Sequence, residues 1–231
     1  MPPLAISEAE LAAFGTAWTA NNGSLSRTPP QSSGDLGKVF DMAVGTALAV
    51  MLGGVPVVTP GSSALTPALA DCVEVGPVRI IGGVRPQNFD VGYRPDGVRF
   101  AFDSKTLNDV KSVGKNWQNM INDLATEATT VHSRFPHAVV ALLVAIPEPC
   151  LVEPQLSTMV ETLERLARRQ KVEDAAYMAE SISLIIWRPQ DGSISDLVPA
   201  QTSPLRYEKF SMQVEAAYVS RYKGLPPHAA G

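Results

Sequence analysis

The chain has 231 residues, 45% of them hydrophobic and 18% charged, with a net charge of −4. That length and apolar fraction fit one folded domain with a sizeable core and exclude wholesale disorder and collagen-like structure. Two cysteines (Cys72, Cys150) and three histidines (His132, His137, His228) are too few for a disulfide scaffold, a four-thiolate zinc site or a histidine-rich metal centre.

The default compartment is cytoplasmic, since Met1-Pro2-Pro3-Leu4-Ala5 has no basic region leading into an apolar one, as a signal peptide would. Net charge argues weakly against a partner held by bulk electrostatics, while local surface charge leaves nucleic acid open. Residues 42–70 carry no charge, yet Gly53-Gly54, Pro56, Pro60 and Pro67 interrupt them. The continuous stretch left, 39–52, is shorter than the roughly 20 residues of a membrane span, so no membrane partner is expected.

Residues 7–20 have the makings of a helix, with Ser7 as N-cap, Glu10 three residues on, and Leu11, Phe14 and Trp18 on one face. Residues 21–33, rich in Asn, Ser, Pro and Gly, read as a loop. Asp35 is placed to cap the next helix, 36–52, which is apolar nearly all round and therefore expected to be buried; Gly53-Gly54 stops it. Residues 55–69 are irregular, and their prolines put them at the surface.

Strands follow over 77–81, 88–94 and 98–106, the last two joined through Pro95-Asp96-Gly97, a strong hairpin signal. Ser112 or Gly114 leads into a helix through His132, with Trp117, Ile121, Leu124, Ala128 and Val131 at helical spacing and Phe135-Pro136 beyond its end. Residues 138–146 form a near-continuous apolar run, the mark of a central strand covered on both faces. An amphipathic helix over 154–170, a buried strand over 181–188 and a final helix over 206–222 complete the chain. The expected class is α/β, a mixed central sheet flanked by helices. An N-terminal helix and loop (1–34), a core (35–190) and a C-terminal helical extension (191–231) make one compact domain.

The hairpin carries the chemistry. With a period of two, Phe89, Val91 and Tyr93 share one face of its first strand, and Asp90, Gly92 and Arg94 the other. In the second strand Phe100 and Phe102 oppose Ala101, Asp103 and Lys105. A register that sends all the aromatic rings into one core pairs Asp90 with Asp103 and requires a two-residue Asp96-Gly97 turn. A three-residue loop, with Pro95 leading and Gly97 left-handed, would slip the register by one. That slip buries Asp90 and exposes Phe89, at a greater cost than a less ideal turn or an added bulge. The favoured register sets two carboxylates and one ammonium on a single patch. Converging carboxylates without imidazole or thiolate suit magnesium or manganese. Such an ion acidifies water and neutralises charge on a phosphoryl oxygen. Lys105, on the same face, is placed to orient that water or to stabilise a pentacovalent transition state.

Asp90, followed on the next strand by Asp103-Ser104-Lys105, resembles the PD-(D/E)XK nuclease superfamily, to which many type II restriction endonucleases belong. The element order over roughly 35 to 188 likewise resembles that superfamily's αβββαβ core, with 36–52 as first helix and 138–146 as last core strand. The resemblance implies a restriction-endonuclease-like core in which Asp90, Asp103 and the main-chain carbonyl of Ser104 hold Mg2+, with Mn2+ as a substitute. It also implies an acid from the first core helix, where Asp41 falls, and a polar residue from the helix after the motif, for which Lys115 and Gln118 are candidates. Two departures stand out: Phe89 replaces the usual proline, and the motif acid is Asp rather than the commoner Glu. Asp109-Val110-Lys111 is a second acid–x–lysine triplet but has no apolar strand before it and reads as solvated loop. Asp103–Lys105 is set apart by ending a strand and facing an acid across a hairpin.

The implied function is a magnesium-dependent DNA endonuclease, of the type II restriction kind, cutting a specific double-stranded site. Asp90, Asp103 and Lys105 would be catalytic, and a palindromic target would favour a homodimer. Beside it stand a repair, recombination or phage-defence nuclease of the same fold, and a nuclease-like module that binds nucleic acid or protein without cleaving. Plainer roles compete at each residue. Asp90, Asp103 and Lys105 also suit a salt-bridged polar patch, and Asp41 suits an early helical turn through the helix dipole. Arg165, Arg168, Arg169 and Lys171 form a basic cluster suited to phosphates or, more plainly, to the carboxyl end of their own helix, and Trp117 suits the core rather than a base-stacking platform. Arg27 is either a DNA-contacting arm or a loop arginine, and the sequence leaves both open. His132 and His137 flank a helix end without a site signal.

Overall fold

Capping chemistry sets the two N-terminal helices in a computed structural model of the chain, which describes residues 1–227 and leaves His228 outside the described residues. In α1 (Glu8–Ala20) the Ser7 hydroxyl accepts from the Glu10 N–H, and Leu11, Phe14 and Trp18 are buried. Helix α2 (Ser33–Met51) begins earlier than expected, because Ser32 is the N-cap and Asp35 its partner in a reciprocal capping box. At its other end Gly54 N–H reaches Ala49 O and Gly53 N–H reaches Val50 O. Both glycines have left-handed φ, the geometry of a Schellman stop. The expectation that this helix is buried all round is corrected: Leu36, Phe40, Val44 and Leu48 are buried, but Met42 and Val50 face outward, more than half exposed.

Six strands form one mixed sheet in sequence order: β1 (Val57–Val58), β2 (Val73–Ile81), β3 (Pro86–Tyr93), β4 (Phe100–Thr106), β5 (Val139–Pro147) and β6 (Ser181–Trp187). β3 runs antiparallel to both β2 and β4, while β1 pairs parallel with β2, and β5 parallel with both β4 and β6. β2 starts four residues before the expected strand. The pairing slips between Val75 and Val78, so Pro77, which has no N–H to give, is absorbed in an irregularity. β5 is buried along its whole length, as its apolar run requires.

The hairpin register is the one that keeps the rings together: Val91 pairs with Phe102, Gly92 with Ala101 and Tyr93 with Phe100. The two-residue Asp96-Gly97 turn does not form, and residues 94–99 make a longer loop. Arg94 leaves the ladder because its buried guanidinium bonds Glu74 at 2.6 Å and the carbonyls of Leu65 and Arg79. Arg99 leaves it for Asp96 and the ring of Tyr222. Two arginines thus open a turn that the Pro-Asp-Gly signal alone would have closed.

Helix α3 (Val113–His132) crosses from β4 to β5, α4 (Gln155–Leu166) from β5 to β6, and α5 (Tyr207–Tyr222) returns over the sheet. Phe102 meets Phe210 and Tyr93 meets Tyr218, so these aromatic residues face α5. α1 and α5 share one continuous core with the sheet, through Leu11, Phe14, Phe210 and Val214. α4 ends four residues short of expectation. Arg169, expected at the end of that helix, is buried against Glu180 at 2.9 Å and donates to the Pro136 and Val172 carbonyls. Arg221 (2.7 Å) and His132 (3.3 Å) converge on the same carboxylate, which also accepts from Val140 N–H at 2.7 Å. No helix among the described residues is long and apolar enough to cross a membrane.

Candidate functional site

The site lies where β3 parts from β4. β3 stays paired with β2 out to Pro86, and β4 stays paired with β5 out to Thr106, but β3 and β4 pair only as far as Val91 and Phe102. Continued one step, that register sets Asp90 against Asp103. The next ladder bond would run from Ser104 N–H to a main-chain carbonyl of β3. Instead the Asp90 carboxylate accepts it, at 2.8 Å, with the Ser104 hydroxyl oxygen 3.2 Å away. A side chain has replaced main chain in the ladder, and the strands open. In a strand a residue's C=O points the same way as its N–H, so the Ser104 carbonyl also faces the side that β3 has vacated.

Side chains alternate along β4. Ser104 turns toward α2, where its hydroxyl donates to Asp41 at 2.8 Å. The helix comes this close because residue 37 is glycine: a Cβ there would stand 3.3 Å from the Ser104 hydroxyl. Asp103 and Lys105 turn to the other face, toward α3. The Lys105 ammonium pairs with Asp103 and, at 2.6 Å, with Glu127 of α3. Asp41 therefore approaches from one face and Glu127 from the other, with Asp90 at the opening between them.

Four carboxylates share this region with one half-buried ammonium. Burial, then the Asp90 charge, push the Asp41 carboxyl up to about 8, against the opposing pull of the Ser104 hydroxyl and Lys105. Burial, then Glu127 and Asp90, raise Asp103 well above the ordinary carboxylate range despite Lys105. Glu127 is raised as well, mainly by burial. Burial disfavours the charged Lys105, but Asp103 and Glu127 outweigh it and raise the ammonium above its usual value. Oε2 of Glu127 is buried with no N–H or hydroxyl donor, and the Asp103 carboxyl hydrogen-bonds to Glu127. Such an excess of hard, buried oxygen over positive charge fits a divalent cation such as Mg2+ or Mn2+. Among the described residues no three acidic, His or Cys side chains are already grouped to hold one. The carboxylates are tied up in two groups, Asp41–Ser104–Asp90 and Asp103–Lys105–Glu127, so the single patch expected of Asp90, Asp103 and Lys105 is corrected: the Ser104 hydrogen bonds draw Asp90 toward Asp41, and Lys105 keeps Asp103 with Glu127.

The other expected contributors do not join. Lys115 and Gln118 are exposed in the first turns of α3, and no hydrogen bond or ion pair links them to the carboxylates. The α3 residue that reaches the cluster is Glu127, further along the helix, which sequence reasoning missed. Its signal was an acid in line with Met120, Leu124 and Val131 on the apolar face of that helix. Arg27 is exposed in the 21–32 loop, away from these contacts. Trp117 is core, and both cysteines are buried free thiols. Neither a family model nor a curated protein nor a solved structure matches this chain.

Proposed function

We propose that the protein is a metal-dependent DNA endonuclease with a restriction-endonuclease-like core, most simply one that cuts a specific double-stranded site. One observation carries the reading: Asp90 and Asp103 directly follow the last paired residues, Val91 and Phe102, where the two strands part, with Ser104 bonded to Asp90 and Lys105 to Asp103. The run α2, β2, β3, β4, α3, β5 supports it, since it follows the αβββαβ order that the motif resembles.

Asp90, Asp103 and the Ser104 carbonyl are the groups that would hold Mg2+ or Mn2+, and Asp41 a further one. The ion, when bound, supplies an acidified water and charge neutralisation at a phosphoryl oxygen. Lys105 donates hydrogen bonds to the attacking water or to the phosphorane oxygens as negative charge grows there. The water oxygen bonds phosphorus as one backbone P–O bond breaks in line. One water proton leaves to solvent, and the departing oxygen is protonated. Double-stranded DNA as substrate, a homodimer matching a two-fold target and a cytoplasmic setting belong to the same proposal.

Incubation of plasmid DNA with the protein, with and without Mg2+, tests it, alongside Asp103→Asn. Discrete fragments that need both the metal and Asp103 are the expected result. A smear would favour a non-specific or repair-type nuclease of the same fold. Intact plasmid under Mg2+ and Mn2+ would contradict cleavage and favour a module that binds without cutting.

A further inference from the structure

The Lys105 ammonium is held twice, by Asp103 on its own strand and by Glu127 of α3. Only one of these partners is also a candidate metal ligand. An Asp103 carboxylate that turns to a cation loosens its hold on the ammonium, and a lysine on four methylenes then has wide rotamer freedom. Glu127 is suited to remove that freedom. Its side chain is 4% exposed and α3 fixes its backbone. Oε1 contacts Nζ at 2.6 Å. A buried carboxylate costs stability unless a cation offsets it, and Lys105 is the cation with which Glu127 pairs.

We propose that Glu127 is the positioning residue of Lys105, the group that keeps the ammonium at the site once Asp103 engages a cation. The proposal rests on the nuclease reading for its consequence, though not for its structural content. In this role Glu127 acts through Lys105. Asp103 is shared between two demands, and Glu127 lets both be met.

Two measurements on the full chain test this, with Glu127→Gln as the variant because it preserves shape and removes the charge. The first is NMR of the lysine ammonium groups with Mg2+ present, the Lys105 signal being identified by its loss in Lys105→Arg. A protected ammonium is expected in wild type, with fast exchange in Glu127→Gln. Equal protection in both overturns the proposal. The second is a cleavage cycle. Glu127→Gln is expected to lower kcat about 10- to 100-fold, leave the Mg2+ midpoint unchanged and cost nothing further in a Lys105→Ala background. Independent, multiplying losses overturn it, as does a shifted Mg2+ midpoint, which would make Glu127 a ligand. A wild type that does not cut but whose ammonium protection needs Glu127 would sink the nuclease reading and leave the positioning role standing. A wild type that cuts with equal rates in Glu127→Gln would do the reverse.

Discussion

The Asp90 carboxylate accepts the main-chain N–H of Ser104 at 2.8 Å, a bond that a backbone carbonyl would make if β3 and β4 stayed paired. One acidic side chain thereby takes the place of main chain in the ladder where the strands part, and its charge is felt at the second acid, Asp103.

Asp41 makes the site sensitive to pH. Its carboxyl is raised from 3.8 to about 8, so the stability its protonated form gives is complete below about pH 4 and is lost as pH rises through 8. Metal-free protein should therefore melt at lower temperature near pH 9 than near pH 5, through this group. Asp41→Asn should recover on the order of 1 kcal/mol or more, about 2–4 °C per kcal/mol, at the higher pH and almost nothing at the lower. Added Mg2+ should raise the melting temperature of wild type more near pH 9 than near pH 5, because at low pH it must displace a proton. Thermal melts across the two conditions, with and without chelator, check all three.

Gly37 separates stability from function. Alanine there should favour the helix by about 0.5–1 kcal/mol, while its Cβ meets the Ser104 hydroxyl at 3.3 Å and must push it by a few tenths of an ångström. Gly37→Ala should leave the melting temperature equal or higher and yet reduce Mg2+-dependent cleavage several-fold. A variant less stable and fully active would break this link between α2 and the site.

The stability of the half of the sheet away from the site rests on Glu180. It compensates Arg169 and Arg221, meets His132 and caps Val140 N–H. Glu180→Ala leaves two buried guanidiniums without their shared carboxylate and should cost about 3–5 kcal/mol in urea unfolding. Burial opposes the charged form, but His132, Arg221 and the Val140 N–H prevail and hold the carboxyl below 4.5. Its contribution is thus present above that value and disappears on acidification below it.

What could be read in the residues follows from how local the cause is. The register of β3 against β4 was legible because five aromatic and aliphatic side chains alternate with acids and small residues, and a slip would expose all of them. The turn was not, because what opens it is Glu74 and Tyr222, distant in sequence from Arg94 and Arg99. Asp35 read as a cap because acids favour that position; the nearby Ser32 takes it, and Asp35 answers from the third helical position. Glu127 was legible only as an anomaly on an apolar helix face, and the lysine that explains it lies 22 residues away. Likewise nothing local joins His132 and Arg169 to Glu180.

The central claim is that Asp90 and Asp103 together hold one divalent ion at the parting of β3 and β4. Anomalous diffraction from crystals grown with Mn2+ tests it directly. The account predicts a single strong peak bonded to carboxylate oxygens of both residues, lost in Asp103→Asn. A peak that leaves either carboxylate unbound, or none at saturating Mn2+, would contradict it.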